Sequence, residues 1–592
     1  MRVNMKDESR AKRSRRARVL RAAAIVTAAV LLAALCGFFA LLVKVKGNLS
    51  YVYNYFFDTR GSLPAVQYTY EADASEEHVP HAVEQTEPDR YLAETKIVVN
   101  DTVVPEYDRE NKIAVQDSGE SRQGILTFRG SYRRDVSSFG TPAGAGNALA
   151  KSWQVKTGRF LKDDGVNYWS GNGWTGQPLA VAWTQEMKER MNLYPAAKAK
   201  EGLVEIIYPG MDGWIHFLDM ETGEATRDAI NVGMTFKGTC SLHPEYPLLV
   251  CGSGDSATGP FGEQVSARIF LYSLIDGKKL YEWAANDPFA PRRWHGFDSS
   301  PIFAVEADTV IAPGENGVLY TVRLNTSFDE TKGELQVSPD ETVRYIYDSN
   351  ASRERYEASE SDIGSGSESS AVIWENYLFF GDNGGIFQCL DLNTMKPVWV
   401  QDLREDINSS PVLESGEDGR LYLYVGTTLK YHTDSHHIGT AGIYKLDAFT
   451  GQILWYKPYE VHTVSGLAGG VLASGALGSG KASGYIYYAI SKTPSVDTGC
   501  LVALCTDTGE EAWRVDLPCD AWSSGCLVYT KNGDPRLAQC CGNGDILLLD
   551  ALTGKQLDKL NYGANIESTP VIFGSRIVVG LRSEYIIGAE IK

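Results

Sequence analysis

The stretch GIYKLDAFTGQILW, Gly442 to Trp455, carries the pattern on which the reading of this chain turns. An aromatic and β-branched run ends at Asp447, Thr450 and Gly451 supply turn chemistry, and a second run closes on Trp455. Asp hydrogen-bonds the backbone just beyond itself, and Gly reaches positive φ without steric cost, so Asp, three residues, Gly describes a turn between strands. The Trp four residues later is expected to lie on an outer strand and dock on the neighbouring unit. The spacing recurs in part at Asp391, Met395 and Trp399, and at Cys505, Gly509 and Trp513. In Asp550, Gly554, Asp558 and in Asp219, Gly223, Arg227 the aromatic is lost.

Two further elements surround this turn. Upstream lie GMDGWIHFLD at Asp212 and Gly213, GENGVLYTVRL at Asn316 and Gly317, GDNGGIFQCLD at Asn383 and Gly384, and GNGDILLLD at Asn543 and Gly544. Asn-Gly and Asp-Gly followed by alternating apolar residues read as β-hairpins. Each unit opens on a third element: SSPIF at Pro301, SSPVL at Pro411 and STPVI at Pro570, with SSAVI at Ala371 and SSGCLV at Gly525 as variants. TGQPLAV at Pro178, TCSLHP at Leu242 and ASGALG at Gly475 bring the starts to eight.

The starts lie 40 to 70 residues apart, long enough for four strands with loops. Units that cannot bury both faces alone pack radially, so the chain is expected to be all-β, an eight-bladed propeller of four-stranded antiparallel blades. Seven blades is the alternative. The last unit, Ile566 to Lys592, supplies only three strands, whereas Ala148 to Gly158 is a strand without a unit. The orphan strand is expected to close the ring as the outer strand of blade 8, with Trp153 in the docking position.

Composition agrees. Of 592 residues 43% are hydrophobic and 58 are Gly, too apolar for disorder and rich in turns. Residues 1–21 hold nine cations against Asp7 and Glu8, which leaves −26 on the rest of a chain whose total is −19. That deficit of cations argues against a nucleic-acid partner. Residues 22–43 carry no charge. At about 1.5 Å per residue they cover a hydrocarbon core of about 30 Å. The basic flank is expected to stay in the cytoplasm and the rest to lie outside. A cleaved signal peptide is the competing reading, but its apolar core is shorter and ends in a small-residue site. The expected organisation is therefore a cytoplasmic tail (1–21), a single-pass signal-anchor helix (22–43), a partly ordered acidic stalk (44–147) and a propeller (148–592). Within the stalk, Lys96 to Tyr107 reads as a hairpin about Asn100 and Asp101.

GIYKLDAFTGQILW and GDILLLDALTGKQL resemble the repeat of the pyrroloquinoline-quinone-like (PQQ-like) β-propellers, which include quinoprotein alcohol dehydrogenases and the assembly scaffold BamB. The layout, with TFRGSYRRD at Thr127 to Asp135, GWTGQP at Gly173 to Pro178 and PGENGVLY at Pro313 to Tyr320, resembles membrane-anchored PQQ-like proteins of Gram-positive, clostridia-type bacteria. For a quinoprotein the resemblance would imply PQQ on a Trp floor, a bound calcium, a catalytic Asp and a disulfide between adjacent cysteines. Cys540 and Cys541 are adjacent but fall in a late strand, where neighbours point to opposite faces. They are expected to be buried strand residues. No calcium-ligand set can be matched, so no cofactor is expected; PQQ and calcium enter only if the chain is an oxidoreductase.

Other motifs are weaker. Cys240 and Cys251 flank a turn and either bridge or pack in the core. His432, Asp434, His436 and His437 are metal-capable groups in one loop, but a polar loop is the expected outcome. GALGSGKA, Gly475 to Ala482, lacks the Ser or Thr of a phosphate loop and precedes a strand. HExxH and GxSxG are absent.

Loop length points to a face. Ser253 to Ser266, Thr427 to Ala441 and Ser491 to Thr498 replace tight hairpins on the side shared with the blade-to-blade connections. Those connections include Tyr168, Trp169 and Trp174, and Phe289, Arg292, Arg293, Trp294 and His295. Exposed Trp and Arg carry binding energy at recognition sites. The expectation is a non-catalytic extracellular binding or scaffold module for a protein, peptide or cell-wall glycan. The alternative is that these aromatics plug the central channel.

Overall fold

The computed structural model describes residues 21, 26–37, 63–69, 78–115, 123–162, 164–255, 257–258, 264–292, 296–359, 365–464 and 467–592. Eight antiparallel sheets form a propeller. Their innermost strands are Leu179–Ala182, Ser241–Leu242, Ile302–Ala304, Val372–Trp374, Val412–Ser415, Ala476–Leu477, Cys526–Tyr529 and Val571–Phe573. Each lies at one of the eight sequence starts, so the count is eight and the seven-bladed alternative fails. Leu149–Lys156 pairs with Tyr585–Ile591, with Trp153 opposite Gly588, and supplies the fourth strand of blade 8.

The seams explain the repeat. Trp399 Nε1 donates to Ala448 O at 3.0 Å, Trp455 to Thr506 O at 2.9 Å, Trp513 to Ala551 O at 2.9 Å and Trp153 to Met220 O at 3.0 Å. Each acceptor lies one residue after the first position of the next blade's turn. The turn Gly meets the ring: a Cβ on Gly451 would lie 2.5 Å from Trp399, and Gly451 has φ +72°. Trp399 and Trp455 are fully buried, whereas Trp153 and Trp513 are half-buried. Two seams without the aromatic use arginine on the same carbonyl. Arg227 Nη1 donates to Leu274 O at 2.6 Å, and Arg109 Nε to Leu392 O at 3.1 Å.

The Asn100–Asp101 hairpin forms, both residues at positive φ, and Leu92–Val99 extends blade 3 by pairing with Glu341–Ser349. Val66–Gln67 extends blade 5. The described part of the expected stalk thus lies on the propeller. From residue 78 it crosses the lower face, defined by the turns between strands one and two and between strands three and four. Thr86 Oγ1 donates to Thr450 O at 2.7 Å, and Ile113 N to Asn393 Oδ1 at 2.8 Å.

Residues 124–139 then enter the channel. Gly124–Ile125 pairs with the inner strand of blade 1. Leu242, Ile373 and Leu413 donate their N–H groups to the carbonyls of Leu126, Tyr132 and Arg133, and Phe139 donates to Ile572 O. The free edges of inner strands around the ring are thereby paired. Arg129 and Arg134 are fully buried there. Arg134 donates to Ala371 O at 3.1 Å and Phe128 O at 2.9 Å, and Arg129 Nη1 to Gly525 O at 3.1 Å. The channel is therefore plugged from below by this segment.

Residues 26–37 are helical, and the remainder of the expected anchor lies outside the described residues. No helix among the described residues is long and apolar enough to cross a membrane.

Candidate functional site

The unit starts build the upper face. A hydroxyl of one blade accepts the backbone N–H of the preceding blade: Ser300 N donates to Ser370 Oγ at 2.9 Å, Ser370 N to Ser410 Oγ at 2.8 Å, and Ser410 N to Ser474 Oγ at 3.0 Å. Ser474 N continues to Ser524 Oγ, Ser524 N to Thr569 Oγ1, Thr569 N to Gly176 O and Gln177 N to Thr239 Oγ1. Ser300 Oγ closes the circle on Thr239 O at 2.8 Å. A ring of hydrogen bonds thus fixes one position per blade, two residues before the ring residue, at the channel mouth. Those positions hold Thr175, Lys237, Asp298, Glu368, Asn408, Leu472, Trp522 and Glu567.

Five of these eight line a narrow funnel above Phe128, the top of the plug. Its chemistry is acidic on the side of blades 3 and 4. Burial pushes the Asp298 carboxyl up to about 7 against the opposing pull of Lys237. Burial raises Glu315 well above the ordinary carboxylate range, with the Asp298 and Glu368 charges adding to it, and Glu368 is raised by burial and by Asp406. Burial works against the Lys237 charge, but Asp298, Asp255 and Glu315 outweigh it and hold the ammonium protonated. Lys237 Nζ donates to Asp255 Oδ1 at 3.0 Å. Asp298 Oδ1 and Glu315 Oε1 have no hydrogen-bond partner among the described residues.

Beside the funnel, a larger pocket opens between blades 7, 8 and 1. Trp174, Leu467 and Trp522 give it apolar walls, and Asp520, Glu567 and Arg582 give it charge. Trp169, Trp174 and Trp522 stack edge to face at 5.8 and 5.5 Å. Their faces also carry cations: Lys162 Nζ lies 3.6 Å from Trp169, and Lys237 Nζ 5.4 Å from Trp174. The charges inside the pocket are matched. Asp520 accepts from Lys492 at 2.7 Å, and Glu567, raised by burial, faces Arg582 at 3.5 Å. Trp522 Nε1 and Asn565 Oδ1 have no hydrogen-bond partner among the described residues.

The expected site residues divide among these features. Trp174 lines the larger pocket and Trp169 backs it, while Tyr168 stands 44% exposed on a small hairpin with Arg159 4.2 Å from its ring. Arg292 is half-buried and donates to Asn383 Oδ1 at 2.7 Å, bridging blades 3 and 4. Arg293, Trp294 and His295 lie outside the described residues. The channel is plugged from below by 124–139.

In the histidine loop, Asp434 Oδ1 accepts the N–H groups of His436 and Ile438, and His432 Nδ1 lies 2.7 Å from Glu405. His437 sits at positive φ in that turn. Among the described residues no group of three His, Cys, Asp or Glu is placed to hold a metal ion. Cys540 and Cys541 are fully buried, as are Cys240 and Cys251, which lie side by side where the first two strands of blade 2 pair.

Sequence reasoning missed Lys237, Asp298, Glu368, Trp522 and Glu567. The signal was present as one column of the repeat, the residue two before each ring position.

No family model and no curated protein matches the chain. Among solved structures it is similar to BamB from Moraxella catarrhalis, with a TM-score of 0.42 and 13% identity over 75% of this chain and 98% of that one. It is also similar to the computationally designed Ika8 protein, at 0.40 and 13% over 74% and 99% of the two chains. Quinohemoprotein alcohol dehydrogenase from Comamonas testosteroni follows at 0.40 and 11%, over 80% and 81%. At these values the likenesses say nothing about activity.

Proposed function

We propose that this chain is a non-catalytic propeller, tethered by residues 22–43 to the cytoplasmic membrane of a Gram-positive, clostridia-type cell. In this reading its upper face binds an extracellular protein, peptide or cell-wall glycan. The observation that carries it is the contrast between faces. The lower face is crossed and the channel stopped by the chain's own N-terminal segment, whereas the upper face keeps a pocket with Trp174 and Trp522 beside paired charges. Large aromatic walls with a few fixed polar groups are the usual make-up of a ligand site. The uncharged 22-residue run and its basic flank support the tether.

The oxidoreductase alternative fits less well. PQQ carries several carboxylates, yet the funnel wall presents Asp298 and Glu368 and its base is Phe128, not a Trp.

The test uses the full chain in detergent. Native mass spectrometry should show a ligand carried from the cell surface, and Trp174→Ala should reduce its occupancy at least tenfold. PQQ with calcium at a hundred times a typical Kd should leave the Tm unchanged; bound quinone would stabilise by about 2.7 kcal/mol. A raised Tm, or ligand retention indifferent to Trp174, would overturn the reading.

A further inference from the structure

Ten cysteines are present, none disulfide-bonded, and two pairs are brought side by side, Cys240 with Cys251 where the first two strands of blade 2 pair and Cys519 with Cys541 in one core cluster. Cys240 and Cys251 are both sealed in the core. The other pair, Cys519 and Cys541, is built differently. Cys519 lies in the connection from the outer strand of blade 6, Glu511–Leu517, to the inner strand of blade 7, Cys526–Tyr529. Cys541 follows the strand Pro535–Cys540 and begins the tight turn CGNGD. The two segments are tied by backbone, since Gly542 N donates to Asp520 O at 3.2 Å. The Asn543 N–H donates to Cys519 Sγ at 3.3 Å. Cys519 is half-buried, whereas Cys541 is fully buried beneath it.

We propose that Cys519 and Cys541 form a redox-active dithiol on the upper face, with Cys519 as the attacking thiol and Cys541 as the resolving one. The acceptor class is a disulfide reaching the surface from solution. Exposure, the neighbouring thiol and the aimed N–H groups favour thiolate at Cys519. The Cys541 thiol and the backbone N–H groups hold its pKa below the ordinary thiol value, while Cys541 is driven well above it by the Cys519 sulfur and by burial.

The Cys519 thiolate attacks one sulfur of the incoming disulfide RSSR, giving a Cys519–SR mixed disulfide and releasing RS−. Cys541 then attacks the Cys519 sulfur, displaces the second RS−, and its proton and that of Cys519 leave as two RSH. The dithiol loses two electrons and two protons; the external disulfide gains both. Asp520, Trp522 and Gly542, which adjoin the two cysteines, line the larger pocket. Contraction of the sulfurs to the bonded distance of about 2.05 Å therefore moves that wall.

The experiment takes the full chain in detergent, reduced and desalted, and treats it with oxidised glutathione. The parent should lose two hydrogens, with the new bond assigned by fragmentation to Cys519 and Cys541. Cys541→Ser and Cys541→Ala should instead trap glutathione on Cys519, and Cys519→Ser should trap at least tenfold less. N-ethylmaleimide should label Cys519 at least tenfold faster than Cys541. Melting of each variant checks that it is folded; Cys519→Ser, at a half-exposed loop position, keeps the comparison intact if the buried substitutions melt early. A bond assigned to any other pair, or labelling of Cys519 no faster than of Cys541, would overturn the proposal.

Discussion

Gly451 and Trp399 show how two residues far apart in the chain define one another. The glycine is required twice, by φ +72° and by the ring that leaves no room for a Cβ, so its place in the repeat records a contact with the preceding blade. Met395 occupies the same turn position at φ +54° in blade 4, where Arg109 and not an aromatic meets the turn. Asp382 illustrates a different residue-level constraint. Its carboxylate accepts the Tyr347 hydroxyl at 2.7 Å and the Ile386 N–H at 2.8 Å, yet burial pushes its pKa up to about 7. An unfolded aspartate ionises near 3.9. Between about 4 and 7 the folded chain therefore binds a proton that the unfolded chain has lost, so stability falls as pH rises through that window and levels off above it. Asp382→Asn keeps the shape without the charge. Its Tm should drop less between pH 5 and pH 8 than that of the parent; equal slopes in thermal melts would show that Asp382 does not carry this dependence.

At the scale of the element, the segment 124–139 is the least expected part. It is polar and irregular by sequence, the composition of a loop, and nothing in its periodicity marks it as core. Its buried arginines are stable only because eight blades surround them with carbonyls: Arg134 also donates to Thr127 Oγ1 at 2.8 Å and Ser300 O at 3.3 Å. Burial lowers its pKa to about 9, which leaves it charged at neutral pH. Arg134→Ala would leave carbonyls of blades 3 and 4 without a donor. Hydrogen bonds to a charged group contribute about 1.5 to 3 kcal/mol each, so the loss should reach about 3 kcal/mol or more. Hydrogen exchange should show it first in Ile302–Ala304 and Val372–Trp374. Unchanged protection there would mean that the plug follows the ring and does not brace it.

The whole molecule is a ring held shut by a strand that lies more than 400 residues from its partner, which makes closure the step with the largest loop-closure cost. Trp153 bonds blade 8 to blade 1 through Met220 O, and Leu149 N donates to Asp558 Oδ2 at 2.6 Å across the seam with blade 7. Trp-to-Ala changes in buried sites cost about 3 to 5 kcal/mol; half-buried Trp153 belongs at the lower end. Trp153→Ala should expose Val571 to Ile591 to hydrogen exchange before the middle blades respond. Loosening confined to the neighbourhood of Trp153 would mean that this strand is not the clasp of the ring. By itself the sequence determined the repeat, the blade count, the closing strand and the docking tryptophans, because each rests on short-range periodicity and turn chemistry that every blade states again. Only the tertiary structure decided where residues 124–139 run, which seams use arginine, which cysteines meet, and which repeat column rims the channel. Those depend on segments brought together by closure of the ring, and a contact between positions hundreds of residues apart leaves no local pattern on either one.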